Sequence, residues 1–297
     1  ILMNLYSGAL KELSAGRKII LVSGTNGKTS TTRALVGFVR TKGEVVTSES
    51  GSNLTRGVAT ALMNKGEYAV LEVDELHLPI VASQVNPSVI LLLNLSRDQL
   101  HRMFEVKRVA DKWREMCSST NATVVADIDD PFVSYALSSS NLKKSISFGG
   151  RAHEDGAVCP ACGIYLKWNS TGYKCSCGLS NQGADIKLSA DSAALRNALM
   201  ANVVGEILGA RAGEINKEEL ERAVTKDINN SRVKIRLTKN PASWREALKG
   251  VTSKYVILIL NAREANGSFG SGLRLISASV SGFVPLTASI SMGLGKY

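Results

Sequence analysis

Two stretches of this 297-residue chain combine residue types at spacings that could do chemistry. The first is Gly24-Thr25-Asn26-Gly27-Lys28-Thr29-Ser30. Its glycines let successive backbone N–H groups face an anion, and a helix starting there adds positive potential at its N-terminus. Lys28 has the reach for the β- and γ-phosphates of a nucleotide, and the Thr29 hydroxyl suits Mg²⁺, which prefers hard oxygen ligands. The stretch therefore reads as a phosphate loop for ATP, tighter in spacing than the general G-x-x-x-x-G-K-[ST] pattern. The second is Cys159-Pro-Ala-Cys162-Gly163 followed by Cys175-Ser-Cys177-Gly178. Four thiols in two close pairs predict one structural Zn²⁺, because four sulfurs leave no open position for catalysis. The second pair is shorter than the usual Cys-x-x-Cys. Cys117 stands alone, with no partner nearby in sequence for a nucleophile's role.

A third candidate is the acidic end of an apolar run, Leu71-Glu72-Val73-Asp74-Glu75. A carboxylate at the end of a parallel strand beside a phosphate loop sits where Mg²⁺ needs an oxygen. Glu72 is the expected ligand and, with Lys28, the expected catalytic pair; Asp74 and Glu75 are alternatives that solvate or support it. His77 and His101 read as surface or partly buried histidines.

The elements that must position these groups are legible in the aliphatic runs. Ile19–Ser23, Glu44–Thr47, Ala69–Val73, Val89–Asn94 and Ala122–Ala126 predict strands whose near-continuous apolar character needs helices on both faces. Helices are expected from Lys28 to about Arg40, over Ala193–Leu208 and over Lys217–Val224. The expected fold is a doubly wound, mostly parallel α/β domain over 1–230. A small cysteine insert at 150–184 and a short α/β domain over 231–297, with a strand at Tyr255–Leu260, complete it.

Composition narrows the function classes. Hydrophobic residues at 44% and charged residues at 21% are a globular balance. No apolar run approaches the ~20 residues of a membrane span, and Ile1-Leu2-Met3-Asn4 lacks a basic signal-peptide start, so a cytoplasmic setting is expected. A net charge of +10 suits a polyanionic partner: a nucleotide, a pyrophosphate or an anionic membrane face touched peripherally. The basic residues are scattered and carry no interleaved aromatics, which argues against nucleic acid.

Val22 to Arg33, with its Gly-Thr-Asn-Gly-Lys-Thr core, resembles the phosphate loop of the Mur ligase superfamily, which joins amines to carboxylates through acyl phosphates. Further stretches match in order: Gly51–Gly57, Leu71–Glu75, Asn94–Leu100, Ala126–Pro131 and Lys239–Pro241. Within the superfamily they are similar to the synthetase subunits that amidate the D-glutamate of lipid II in peptidoglycan synthesis. The resemblance implies an α-carboxylate activated by ATP and Mg²⁺, and ammonia delivered by a GatD-like glutamine amidotransferase partner. It implies a four-cysteine zinc ribbon at Cys159–Cys177 and places Asn197 near the purine. Two departures stand against it. The family's Gly-Arg pair has no match between Val224 and Val233. Leu260–Phe269 lacks the aspartates of the corresponding family loop, and the Trp-x-Trp-Asp that follows it is absent. They predict nucleotide binding with weak amidation, leaving an amino-acid ligase and a nucleotide-binding scaffold as the competing readings.

Overall fold

A computed structural model describes residues 8–48, 53–96, 106–150, 154–210, 223–228, 231–238, 241–248, 255–261 and 272–280. The chain separates into two compact units, Ile1–Glu221 and Arg222–Tyr297.

The larger unit is built on seven strands: β1 (Lys18–Ser23), β2 (Val45–Thr47), β3 (Tyr68–Glu72), β4 (Val89–Leu92), β5 (Thr123–Asp127), β6 (Lys143–Ser147) and β9 (Ile186–Lys187). They lie in the order β2-β3-β1-β4-β5-β6-β9, and every pairing is parallel. Side chains alternate across the sheet, and both faces are apolar. Ile19, Leu21, Ala69, Leu71, Ile90, Leu92 and Val124 pack on one side. Ile20, Val22, Val70, Leu91 and Val125 pack on the other. Burial on both faces is what the continuous aliphatic runs require.

Helices α1 (Ala9–Ser14), α3 (Thr55–Leu62), α4 (Leu78–Val85), α5 (Val106–Ser119) and α6 (Pro131–Leu137) cover the first face. Trp113 of α5 is fully buried there. Helices α2 (Lys28–Val39) and α7 (Ala193–Ile207) cover the second, with Leu35, Val36, Phe38 and Val39 meeting Met200, Ala201, Val203 and Val204. No helix among the described residues is long and apolar enough to cross a membrane.

Between β6 and β9 the chain makes a small excursion around the hairpin of β7 (Lys167–Asn169) and β8 (Gly172–Lys174). The excursion has its own core of Cys159, Leu166, Tyr173 and Cys175. Among the described residues, the smaller unit shows a four-stranded antiparallel sheet and one helix, α8 (Pro241–Leu248). Its strands β10 (Ala223–Ile228), β11 (Ser231–Thr238), β12 (Tyr255–Asn261) and β13 (Gly272–Val280) lie in the order β10-β11-β13-β12. Ala223 and Val224, expected at the end of a helix, are strand instead, because β10 pairs with β11 over its whole length and its Val, Thr and Ile are β-formers. The rest of that expected helix, 217–222, lies outside the described residues.

Asp130 shows how the layers are joined. It is the N-cap of α6, where its Oδ1 accepts from the Phe132 N–H (2.9 Å) and the Val133 N–H (3.3 Å), with Pro131 at the first helical position. Its Oδ2 accepts from the Leu95 N–H at 2.7 Å, holding the segment that follows β4. Asp130→Ala removes a cap, worth ~1 kcal/mol, and strands a buried N–H, at ~1–3 kcal/mol. Urea unfolding should therefore show a loss of about 2–4 kcal/mol. A loss below about 0.5 kcal/mol would show that Asp130 joins nothing.

Candidate functional site

β1 and β4 are neighbours in the sheet, and the helices that follow them, α2 and α5, cover opposite faces, so a crevice opens beyond their C-terminal ends. Gly24–Gly27 turns at that end of β1, and α2 starts at Lys28. The loop is shaped by the segment that follows β4. The Thr25 N–H donates to the Asn94 carbonyl (2.8 Å), the Asn26 N–H to Asn94 Oδ1 (3.0 Å), and Asn94 Nδ2 returns a bond to the Asn26 carbonyl (2.8 Å). Thr25 Oγ1 exchanges hydrogen bonds with the backbone of Ser96. Both loop glycines are obligatory. At Gly24 (φ 149°) an added Cβ would stand 2.8 Å from Leu93 Cβ. At Gly27 (φ 88°) it would stand 2.0 Å from Asn197 Nδ2, so the Asn197 amide lies directly against the loop. The Gly27 carbonyl is taken by the Thr31 N–H and by the Ser30 and Thr31 hydroxyls.

Lys28 is buried at 6% exposure, and its Nζ donates to the Gly24 carbonyl (2.6 Å) and to Glu75 Oε2 (3.2 Å). Glu75 is as deeply buried, and its own carbonyl accepts from Trp113 Nε1 at 2.9 Å. Burial pushes the Glu75 carboxyl above the usual range, and the Lys28 ammonium beside it works the other way. Sequence reasoning gave Glu75 only a supporting place, since the spacing of three acids does not say which one turns inward.

Glu72, the expected metal ligand, is the half-buried last residue of β3, opposite Val22 of β1. Its backbone is held by Ser48, whose Oγ accepts from the Glu72 N–H at 2.8 Å. Thr29 is half-buried in the first turn of α2, the helix that follows β1, to which β3 pairs. Asp74 turns back on its own chain, its Oδ1 accepting from the Leu76 N–H. His77 Nδ1 is 3.0 Å from the Thr55 hydroxyl. His101, Arg97–Leu100, Gly51, Ser52, Lys239, Asn240 and 262–269 lie outside the described residues.

Ala126–Pro131 organises a second cluster that residue spacing did not reveal. Arg196 of α7 forms a two-pronged ion pair with Asp127 and a further bond to Asp129 Oδ2 (2.5 Å), stacking over the Phe148 ring. Asp129 also accepts from the Ser147 hydroxyl (2.6 Å), the Phe148 N–H (2.8 Å) and Asn181 Nδ2 (2.7 Å). Desolvation opposes its charge, but these donors and Arg196 hold its pKa below the ordinary value.

The four cysteines meet. Their sulfurs all lie within 4.8 Å of one another, with Cys159 to Cys177 at 3.6 Å and Cys162 to Cys175 at 3.4 Å. A tetrahedron of sulfurs ~2.3 Å from a central ion has edges of about 3.8 Å, so the cluster could hold a metal ion. The two turns differ in length yet close alike. Gly163 N–H returns to the Cys159 carbonyl (2.9 Å), and Gly178 N–H to the Cys175 carbonyl (3.1 Å). One residue fewer gives a tighter turn, and Gly178 at φ 96° permits it. Burial pushes the Cys159 thiol up to about 12, while the Cys177 backbone N–H draws Cys175 down to about 6.

The Lys28–Glu75 pair sets a pH dependence. Lys28→Met removes the contribution that lowers the Glu75 pKa, leaving a lone buried carboxyl. A folded-state pKa above the unfolded one means that the folded chain holds the extra proton, so stability falls as pH rises above the ordinary carboxylate range. The variant should lose about 3–5 kcal/mol at pH 8 and distinctly less at pH 5. Thermal melts at the two pH values check this; an equal loss at both would mean that Glu75 is not desolvated by its site.

The Mur ligase middle domain family matches residues 22–205. The chain is 29% identical over 189 residues to the lipid II isoglutaminyl synthase (glutamine-hydrolyzing) subunit MurT of Staphylococcus aureus strain COL, covering 58% of this chain and 43% of that protein. To the MurT subunit of Streptococcus pneumoniae it is 30% identical over 205 residues, covering 60% and 45%. It spans less than half the length of either relative. Among solved structures, a pseudomurein peptide ligase type C from Methanothermus fervidus shares the fold, with a TM-score of 0.50 at 22% identity over 69% of this chain and 48% of that one. Carrying this domain from the end of β1 nearly to the end of α7, the chain belongs to the Mur ligase family.

Proposed function

We propose that this chain is the ATP-using part of a ligase that amidates the D-glutamate α-carboxylate of the lipid II stem peptide. The observation that carries the reading is the loop at the end of β1, tied to Asn94 and Ser96 and followed by Lys28 at the start of α2, in a chain similar to MurT subunits. The N–H groups at the start of α2 take the phosphates, and Lys28 leaves the Gly24 carbonyl for them. Thr29 and Glu72 would hold Mg²⁺, which supplies charge neutralisation. Asn197 stands where the nucleotide meets Gly27. The acceptor carboxylate attacks the γ-phosphorus, ADP leaves, and ammonia then displaces phosphate from the acyl phosphate. Ammonia would come from a glutamine amidotransferase partner, as the resemblance to MurT subunits implies. The cysteine cluster holds Zn²⁺ as a structural ion, set apart from this chemistry by its four sulfur ligands.

A second reading, a nucleotide-binding scaffold with little turnover, draws on the stretch after Asn261, which lacks the aspartates that the resemblance calls for. The separating experiment is an assay with lipid II, Mg-ATP and ammonium, with and without an amidotransferase partner. Amidation that requires Lys28 supports the ligase, and ATP binding with background turnover supports the scaffold. Turnover only when an amino acid replaces ammonium points to a peptide-forming ligase. Lys28→Met should weaken Mg-ATP binding by at least about tenfold, the worth of one charge-assisted bond; unchanged affinity would remove the nucleotide reading.

Protein purified without chelator should carry one zinc per chain by elemental analysis, and Cys175→Ser should carry none. A folded wild-type chain without metal would overturn the zinc assignment.

A further inference from the structure

A chain of polar contacts runs from the cysteine insert to Arg196 on the first turn of α7, and the next residue, Asn197, lies against the phosphate loop; this connection gives the insert a task. Resting on the nucleotide and zinc readings above, we propose that Arg196 is a positioning residue for Asn197, and that the insert is coupled to the nucleotide site through Asn181, Asp129 and Arg196.

The chain of contacts begins at the metal-binding turns. Tyr173, two residues before Cys175, is fully buried, and its hydroxyl donates to the Ile128 carbonyl at 3.0 Å. Its N–H donates to Asn181 Oδ1 at 2.9 Å, and Asn181 is itself buried at 3%. A Cβ on Gly172 would stand 1.9 Å from Asn181 Oδ1, so the amide packs only against glycine there, and the N–H of Tyr173 on one side and the Asp129 carboxylate on the other fix which end faces which. That orientation sends Nδ2 to Asp129 Oδ1 at 2.7 Å.

Asp129 is the hub. Asn181 and the Ser147 hydroxyl share Oδ1; the Phe148 N–H and Arg196 Nη2 share Oδ2. Arg196 is clamped a second time by the two oxygens of Asp127. A planar guanidinium held by two carboxylates leaves the first turn of α7 no freedom to rotate. Asn197 follows on that turn, and its amide lies against Gly27, where a methyl group would stand 2.0 Å from Asn197 Nδ2. A shift of Arg196 therefore moves the group that bounds Gly27.

The coupling runs both ways, because binding free energies at linked sites are reciprocal. An ion on Cys159, Cys162, Cys175 and Cys177 cross-links the turn from which Asn181 emerges, and so orders Asp129, Arg196 and Asn197 for the nucleotide. A bound nucleotide that presses on Gly27 and Asn197 holds the same network from the other end, and the ion should leave more slowly.

The test uses the full chain loaded with one zinc. Release of zinc to a chromogenic chelator is timed with and without saturating Mg-ATP, and Mg-ATP affinity is measured for the wild type and Asn181→Ala. Mg-ATP should slow wild-type release at least about fivefold, the lower end for coupled sites. Asn181→Ala should lose that slowing and bind Mg-ATP at least about fivefold more weakly while keeping its zinc and its near-ultraviolet circular dichroism. Should Asn181→Ala not fold, Arg196→Lys, which keeps the charge but loses the fork that spans Asp127 and Asp129, serves in its place and should lower both effects. Release indifferent to Mg-ATP, in a wild-type chain that binds Mg-ATP, overturns the coupling and leaves the nucleotide reading standing. A wild type that binds no Mg-ATP, or holds no zinc, removes the underlying reading and the coupling with it.

Discussion

Parallel pairing of β1 with β3 on one side and β4 on the other is the constraint on which the site depends. It buries Ile19 to Val22 without remainder, fixes the height at which the chain must turn, and aligns three strand ends. Those ends supply most of what the loop uses, with Asn197 of α7 added against Gly27. β1 delivers the glycines, β3 delivers Glu72 and the turn that carries Glu75, and the segment after β4 delivers Asn94 and Ser96. Because the backbone of the middle strand is already paired on both sides, the loop satisfies its polar groups from the strand ends beside it and from its own helix.

Much of this was legible in the residues. Aliphatic runs at Ile19–Ser23, Ala69–Val73, Val89–Asn94 and Ala122–Ala126 have too little polar alternation for a sheet with one wet face, and all four are central strands of a parallel sheet. The Gly-x-x-Gly-Lys-Thr spacing pointed to the loop, because the left-handed φ of Gly27 and the close approach at Gly24 are backbone demands that a sequence records as glycine. Two paired Cys-Gly turns likewise announced a cluster.

What stayed illegible depends on contacts between distant positions. Asp127 and Arg196 are 69 residues apart, and a lone arginine on a helix looks the same whether it meets water or two carboxylates. Glu72 and Glu75 differ by only three positions, yet one ends a strand half in solvent and the other is capped by Trp113 and buried against Lys28. Propensity misread Ala223 and Val224 because strand pairing with β11 overrides a local helical pattern.

If the loop takes a nucleotide as proposed, the buried setting of Lys28 would bear on how fast it is captured. An ammonium already bonded to the Gly24 carbonyl and Glu75 cannot be the first group that an arriving phosphate meets. The encounter is then guided by the diffuse excess of positive charge, and it falls with ionic strength. In the proposed ATP-using role, Lys28 would exchange partners in a later, unimolecular step whose rate does not depend on nucleotide concentration. Observed capture rates would level off at high concentration, with the plateau set by how readily that lysine lets go of its own protein.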